Sequence, residues 1–190
     1  MTAKHWAAGA GAFLTLLSTG GCTWSESGEK TERLYEIPRS LCDIPPLDVD
    51  MEPIFISGER LDFDHNYVVV NSGKFTCKYL VDRVTVITII AQFHADRGVA
   101  EPPLAYGMRS HPEQEAVAVP GPYEAYAWPG MASAVTDCTF EGETRPYFTS
   151  VITRYPDDED LALELVSELI QPVTEHAQQY CNTLGNQATE

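Results

Sequence analysis

The strongest periodicity in the chain is its last long segment, "PDDEDLALELVSELIQPVTEHAQQYCNTLGN". There Leu161, Leu165, Leu169, Val173, Ala177, Tyr180 and Leu184 recur at steps of three and four. This spacing predicts a helix with one apolar face turned toward a core. Asp157 to Asp160 crowd its first turn, where acidic side chains complement the helix dipole, so capping explains the "DDED" run without a bound cation. Gly185 stands where a stop is expected, and Pro172 should kink the helix or split it in two.

Upstream the period shortens to two. "YVVV" at 67–70, the turn "NSGK", "FTCKYL" at 75–80, the link "VDR" and "VTVITIIAQF" at 84–93 read as an antiparallel meander. Both faces of 84–91 are apolar or threonine, so that strand is expected to be central. Within the Pro/Gly-rich stretch 94–131, "EAVAV" and "EAYAW" read as short strands around "PGP". "CTFEGETRPYFTSVIT" at 138–153 then echoes "CKYLVDRVTVIT" at 77–88 with a longer link, which predicts a second hairpin and raises the question of an internal repeat. Together these elements predict an α+β fold, with an antiparallel sheet of two hairpin or meander units packed against the long C-terminal helix.

The first residues have a different pattern. Lys4 and His5 precede an uncharged run from Ala7 to Leu17, followed by small residues up to Gly21. This is the layout of a secretory signal peptide, and the run is too short to span a bilayer as a helix. Gly20 and Gly21 directly before Cys22 resemble the bacterial lipobox, although Thr19 occupies the place usually held by leucine. The resemblance implies cleavage before Cys22 and lipidation of its thiol. The expected organisation is a signal peptide at 1–21, a flexible tether at 22–34, one α+β domain at 35–185 and a polar tail at 186–190.

Composition narrows the chemistry. Twelve basic against 28 acidic residues give a formal net charge of -16, which disfavours nucleic acid as a partner. Of five cysteines, lipidation of Cys22 leaves Cys42, Cys77, Cys138 and Cys181, an even set that predicts two disulfides in an exported protein. Three pairings are possible. The matching positions of Cys77 and Cys138 in the two hairpins favour joining those two, leaving Cys42 for Cys181.

Few constellations suggest a reaction. "DVDMEPIFISGE" places Asp48, Asp50, Glu52 and Glu59 at calcium-loop positions, but Pro53 replaces the required glycine, and the segment reads as a solvated acidic loop. His65, His94, His111 and His176 show no metal-binding spacing, and no GxSxG, SxxK or P-loop pattern occurs, so neither a metal nor a cofactor is expected. Tyr123, Tyr126 and Trp128 in "VPGPYEAYAWPGM" form a candidate recognition loop, weighed against simple core packing.

The Gly-Cys lipobox, "IPRSLCD", the strand cysteine Cys77, "PYEAYAWPG" leading to a strand that ends in "DC", and the long terminal helix together resemble the small secreted lipoproteins of actinobacteria, Streptomyces among them. The resemblance implies an envelope lipoprotein of α+β fold and nominates no catalytic residue. The expected function is a non-enzymatic binding or interaction role at the outer face of the cytoplasmic membrane. The expected partners are the membrane itself, through the lipid, and an envelope protein, a cell-wall fragment or a small solute. A hydrolase-like enzyme acting on envelope material is the alternative.

Overall fold

A computed structural model describes residues 32–68, 74–93 and 115–187. Seven antiparallel-paired strands form one sheet: β1 (Leu61–Val68), β2 (Lys74–Val81), β3 (Val84–Phe93), β4 (Val117–Ala118), β5 (Glu124–Trp128), β6 (Met131–Phe140) and β7 (Glu143–Thr153). Among the described residues a single long helix, α1 (Glu159–Gln187), follows. The strand order is β1-β2-β3-β7-β6-β5-β4, so the expected α+β architecture of two meanders and a C-terminal helix is the observed one.

Alternation builds the first meander. Along β2, Phe75, Cys77, Tyr79 and Val81 are buried and the residues between them are not. Asp82 and Arg83, both at positive φ, make a two-residue turn whose twist suits a hairpin. Glu141 and Gly142 do the same between β6 and β7, so the second link is as short as the first and β7 begins earlier than expected. Pro146 is tolerated in β7 because the pairing of β7 with β3 begins only at Tyr147, and the proline needs no partner on that side.

The meanders meet at a β3–β7 seam, with Ile87 opposite Thr153 and Phe93 opposite Tyr147. In topology, β1-β2-β3 and β5-β6-β7 are related by a two-fold axis normal to the sheet. The echo "VIT" does not follow that symmetry. Thr88, opposite Ile152, lies on one face, while Thr153, opposite Ile87, is buried on the other.

One face carries the main core. α1 lies over β5, β6 and β7, where Ala125, Ala127, Ala132 and Ala134 are buried and let the helix backbone come close. The N-terminal segment lies over β2: Leu41, Ile44, Ile54 and Phe55 are buried there, and the Phe55 ring meets Tyr79 edge-on at 5.8 Å. Because α1 is enclosed by both the sheet and this segment, Ala162, Val166, Ile170, Thr174 and Cys181 are buried beside Leu165, Leu169, Val173 and Ala177. A second apolar row thus joins the expected one.

α1 departs from expectation in two ways. It runs unbroken through Pro172, and it passes Gly185 to end at Gln187. Its start is as expected: the Leu161 N–H donates to the Asp158 carboxylate at 3.0 Å. At the other end of the chain, Arg33 already forms a parallel bridge with Gly58, so ordered pairing begins within the expected tether.

All four remaining cysteines form disulfides, but in the other pairing: Cys42–Cys77 and Cys138–Cys181, with Cα–Cα distances of 6.0 and 6.1 Å. Cys77–Cys138 is excluded by strand order. β2 and β6 are separated by β3 and β7, which puts three strand spacings, roughly 14 Å, between their backbones, more than twice what a disulfide spans. Each hairpin cysteine is instead tied to whatever covers its own half of the sheet.

Candidate functional site

The surface feature that most needs a physical explanation is irregular backbone held rigid. Residues 38–51 have no regular secondary structure, and Cys42 and Asp43 both sit at positive φ, a conformation that costs side-chain-bearing residues energy. The segment is nonetheless fixed at several points. Cys42 is bonded to Cys77, its N–H donates to the Tyr79 hydroxyl at 3.2 Å, and that hydroxyl donates to the Ser40 carbonyl at 3.3 Å. Burial pushes the Tyr79 phenol up, partly offset by the Cys42 N–H, so it stays a protonated donor. The Ile44 N–H closes a turn on the Leu41 carbonyl at 2.8 Å.

The result is a ridge, Ile44-Pro45-Pro46-Leu47, with Ile44 buried beneath and both prolines exposed. On one side a cleft of about 180 Å³ separates it from Pro172, Glu175, His176 and Gln179 of α1. On the other an open depression of about 450 Å³ runs along Pro38, Arg39, Asp50 and Glu52. Pro172, which cannot donate to the helix ladder, thus helps to shape the first cleft. His176 is half-buried there. Burial lowers its pKa, while the Asp43 carboxylate pulls it partly back up. Apolar rings with one imidazole, one carboxylate and one amide make a surface suited to recognition. No serine, threonine or cysteine is among the residues lining this cleft.

The aromatic loop is not a shared platform. Trp128 is fully buried, so it cannot meet a partner, and the core reading applies to it. Tyr123 turns to the helix: its hydroxyl donates to the Gln178 side-chain carbonyl at 3.0 Å, and its N–H donates to that of Gln171 at 3.2 Å. Gln171 returns a bond to the Tyr123 carbonyl at 3.0 Å and packs where a side chain on Gly121 would be. Tyr126, half-buried, alternates with Ala125 and Ala127 and so points to the opposite face. Alternation therefore separates Tyr123, on the helix side, from Tyr126 and Trp128, which share the opposite face but differ in exposure.

The other expectations fall out singly. Asp50 accepts from the Glu52 N–H at 3.0 Å, and Glu52 begins a 3-10 turn (Glu52–Ile54) and faces Arg33 at 3.4 Å, so the calcium-like spacing belongs to a local turn. Among the described residues no group of three metal-ligating side chains converges. Cys22, His94 and His111 lie outside the described residues, as does the side chain of His65. Sequence reasoning passed over Pro45, Pro46 and His176 as a unit. The only available signals were the Pro-Pro pair beside Cys42 and the proline inside the helix.

No family model, curated protein or solved structure matches this chain. The fold and site define a disulfide-bonded α+β domain with a rigid proline ridge. Among its described residues no helix is long and apolar enough to cross a membrane.

Proposed function

We propose that the protein is a lipid-anchored cell-envelope lipoprotein that works by binding, and that the Pro45-Pro46 ridge with its flanking clefts is its contact surface for an envelope protein. The observation that carries this is the fixed irregular segment. A disulfide, a buried tyrosine hydroxyl and two left-handed residues hold a loop that the sheet does not need for pairing, and a positioned loop on a rigid scaffold is where recognition is usually built. Exposed prolines add preordered apolar area at little cost in entropy. Two disulfides suit an oxidising compartment outside the cytoplasm, in keeping with an export signal and an acylated Cys22.

The reading is one of binding: His176 faces prolines, Glu175 and Gln179 in its cleft, an arrangement that offers side-chain contacts to a partner. The test compares two variants of the full-length protein for capture from membrane extracts. Leu47→Asp on the ridge should abolish capture, and Val117→Asp on the far sheet edge should preserve it. Equal capture by both would defeat the assignment. Intact mass of the extracted protein should show an acylated Cys22, and an unmodified cysteine would refute the anchor.

A further inference from the structure

We infer, on the reading of the ridge as a contact surface, that the cleft between the ridge and α1 receives one arginine side chain from a basic segment of the protein partner, with its stem on proline rings and its guanidinium on Glu175.

Size sets the kind of guest. The cleft measures about 180 Å³. Sites that enclose a whole small ligand run to roughly 300–1,000 Å³, so this one is matched to a single side chain and not to a solute or a wall fragment.

Chemistry then selects the side chain. Pro45 and Pro46 from the N-terminal segment and Pro172 from α1 supply apolar rings, and the polar groups among them are Glu175, His176 and Gln179. A purely apolar guest would cover the exposed Glu175 carboxylate without replacing its hydrogen bonds to water, and an unpaired charge is costly to desolvate. An acidic guest would meet that carboxylate together with Asp43, which is close enough to act on the charge of His176. His176 does not offset the two acids, because burial lowers its pKa from 6.5 and leaves it largely uncharged at neutral pH. A basic guest suits both parts of the cleft, since its stem covers apolar rings while its head keeps polar partners. Arginine fits better than lysine. Its flat guanidinium stacks on rings and forks onto a carboxylate, and the Glu175 carboxylate, to which the Gln179 amide donates at 3.4 Å, presents two oxygens for that fork.

Charge around the ridge points the same way. Of the described residues lining the cleft and the depression beyond the ridge, Arg39 is the one arginine or lysine, against Glu175, Asp50 and a Glu52 that already faces Arg33. Asp48 is exposed on the same segment, and the whole chain carries a formal charge of -16. Such a field steers a basic surface toward the ridge and turns an acidic one away.

The experiment titrates the full-length protein in detergent with acetyl-Ala-Ala-Arg-Ala-Ala-amide and with its citrulline counterpart, which keeps the shape of arginine without the charge, and follows assigned backbone amides by NMR. The arginine peptide should shift residues 44, 47 and 173–179 and bind several-fold more tightly than the citrulline peptide. Glu175→Gln should remove that preference, and Glu159→Gln, at the far end of α1, should keep it. Equal binding of the two peptides, shifts confined to other residues, no binding at millimolar peptide, a preference unchanged in Glu175→Gln, or a preference lost in Glu159→Gln would each overturn the inference. Its failure is separable from that of the contact surface. A Leu47→Asp protein that still captures its partner would refute the surface, whereas lost capture by Leu47→Asp with equal binding of the two peptides would refute only the arginine.

Discussion

Removing the Cys42–Cys77 bond separates a structural from a functional role, because the second disulfide provides a matched control. The bonded cysteines are 35 residues apart in one case and 43 in the other. In the chain-entropy model each closure restricts the unfolded state by about 4 kcal/mol, and the two differ by only about 0.2 kcal/mol. Cys42→Ala/Cys77→Ala and Cys138→Ala/Cys181→Ala should therefore lose nearly equal stability, a large share of the roughly 5–15 kcal/mol typical of a domain. Urea unfolding in oxidising buffer, followed by tryptophan fluorescence, measures both losses. Capture per folded molecule should then diverge. Freeing Cys42 leaves the ridge held only by hydrogen bonds and packing, and capture should fall; freeing Cys181 loosens the end of α1, and capture should persist. Equal loss of capture in the two variants would refute the link between ridge rigidity and binding. A stability loss under about 1 kcal/mol would refute the energetic reasoning itself.

Trp128→Ala should cost about 3–5 kcal/mol, since the whole side chain is buried, and a thermal melt should show a drop of roughly 6–20 °C; a near-wild-type melt would place the indole at the surface. Thr149→Val should stabilise the protein by about 1 kcal/mol in urea unfolding, because the Thr149 hydroxyl is buried with no hydrogen-bond partner among the described residues and valine keeps its shape. His176 gives a pH signature. Its folded pKa is lowered from 6.5, so the unfolded chain binds the proton first; its contribution is complete above pH 6.5 and is lost as pH falls through the folded-state value. His176→Gln should therefore shrink the fall in melting temperature between about pH 7 and about pH 5, and an unchanged fall would show that the imidazole is not the group responsible.

Local pattern was legible in this sequence where large side chains carried it. The alternation of Phe75, Cys77, Tyr79 and Val81 and the helical stripe through Leu165, Leu169 and Val173 each mark a buried face, and both elements form as expected. The first half of β6, the strand that ends in "DC", was expected from the resemblance and not from its pattern, because Ala132 and Ala134 are buried for their smallness and give little apolar signal. β1 begins six residues before the expected "YVVV", since Asp62 and Asp64 alternate with Leu61 and Phe63 at a sheet edge that tolerates charge. The disulfide pairing required strand order, which no local window contains. The ridge was missed for a related reason: Pro45 and His176 lie far apart in the chain, and only the packing of the N-terminal segment on α1 makes them neighbours.

Neither disulfide crosses the seam where β3 meets β7; each closes within its own half of the chain, and the first ends before the second begins. This has a consequence for biogenesis. A polypeptide emerges with its amino end leading, so in the proposed lipoprotein, where acylation takes Cys22 out of the count, Cys42 and Cys77 are available to each other before Cys138 has appeared, and pairing by order of arrival produces the native bond. Cys138 then finds Cys181 as its one remaining partner. If the chain is exported as proposed, the correct covalent framework is thus the one an oxidant acting on a threading chain makes first, and it can be complete without the slow thiol–disulfide reshuffling that interleaved bonds demand.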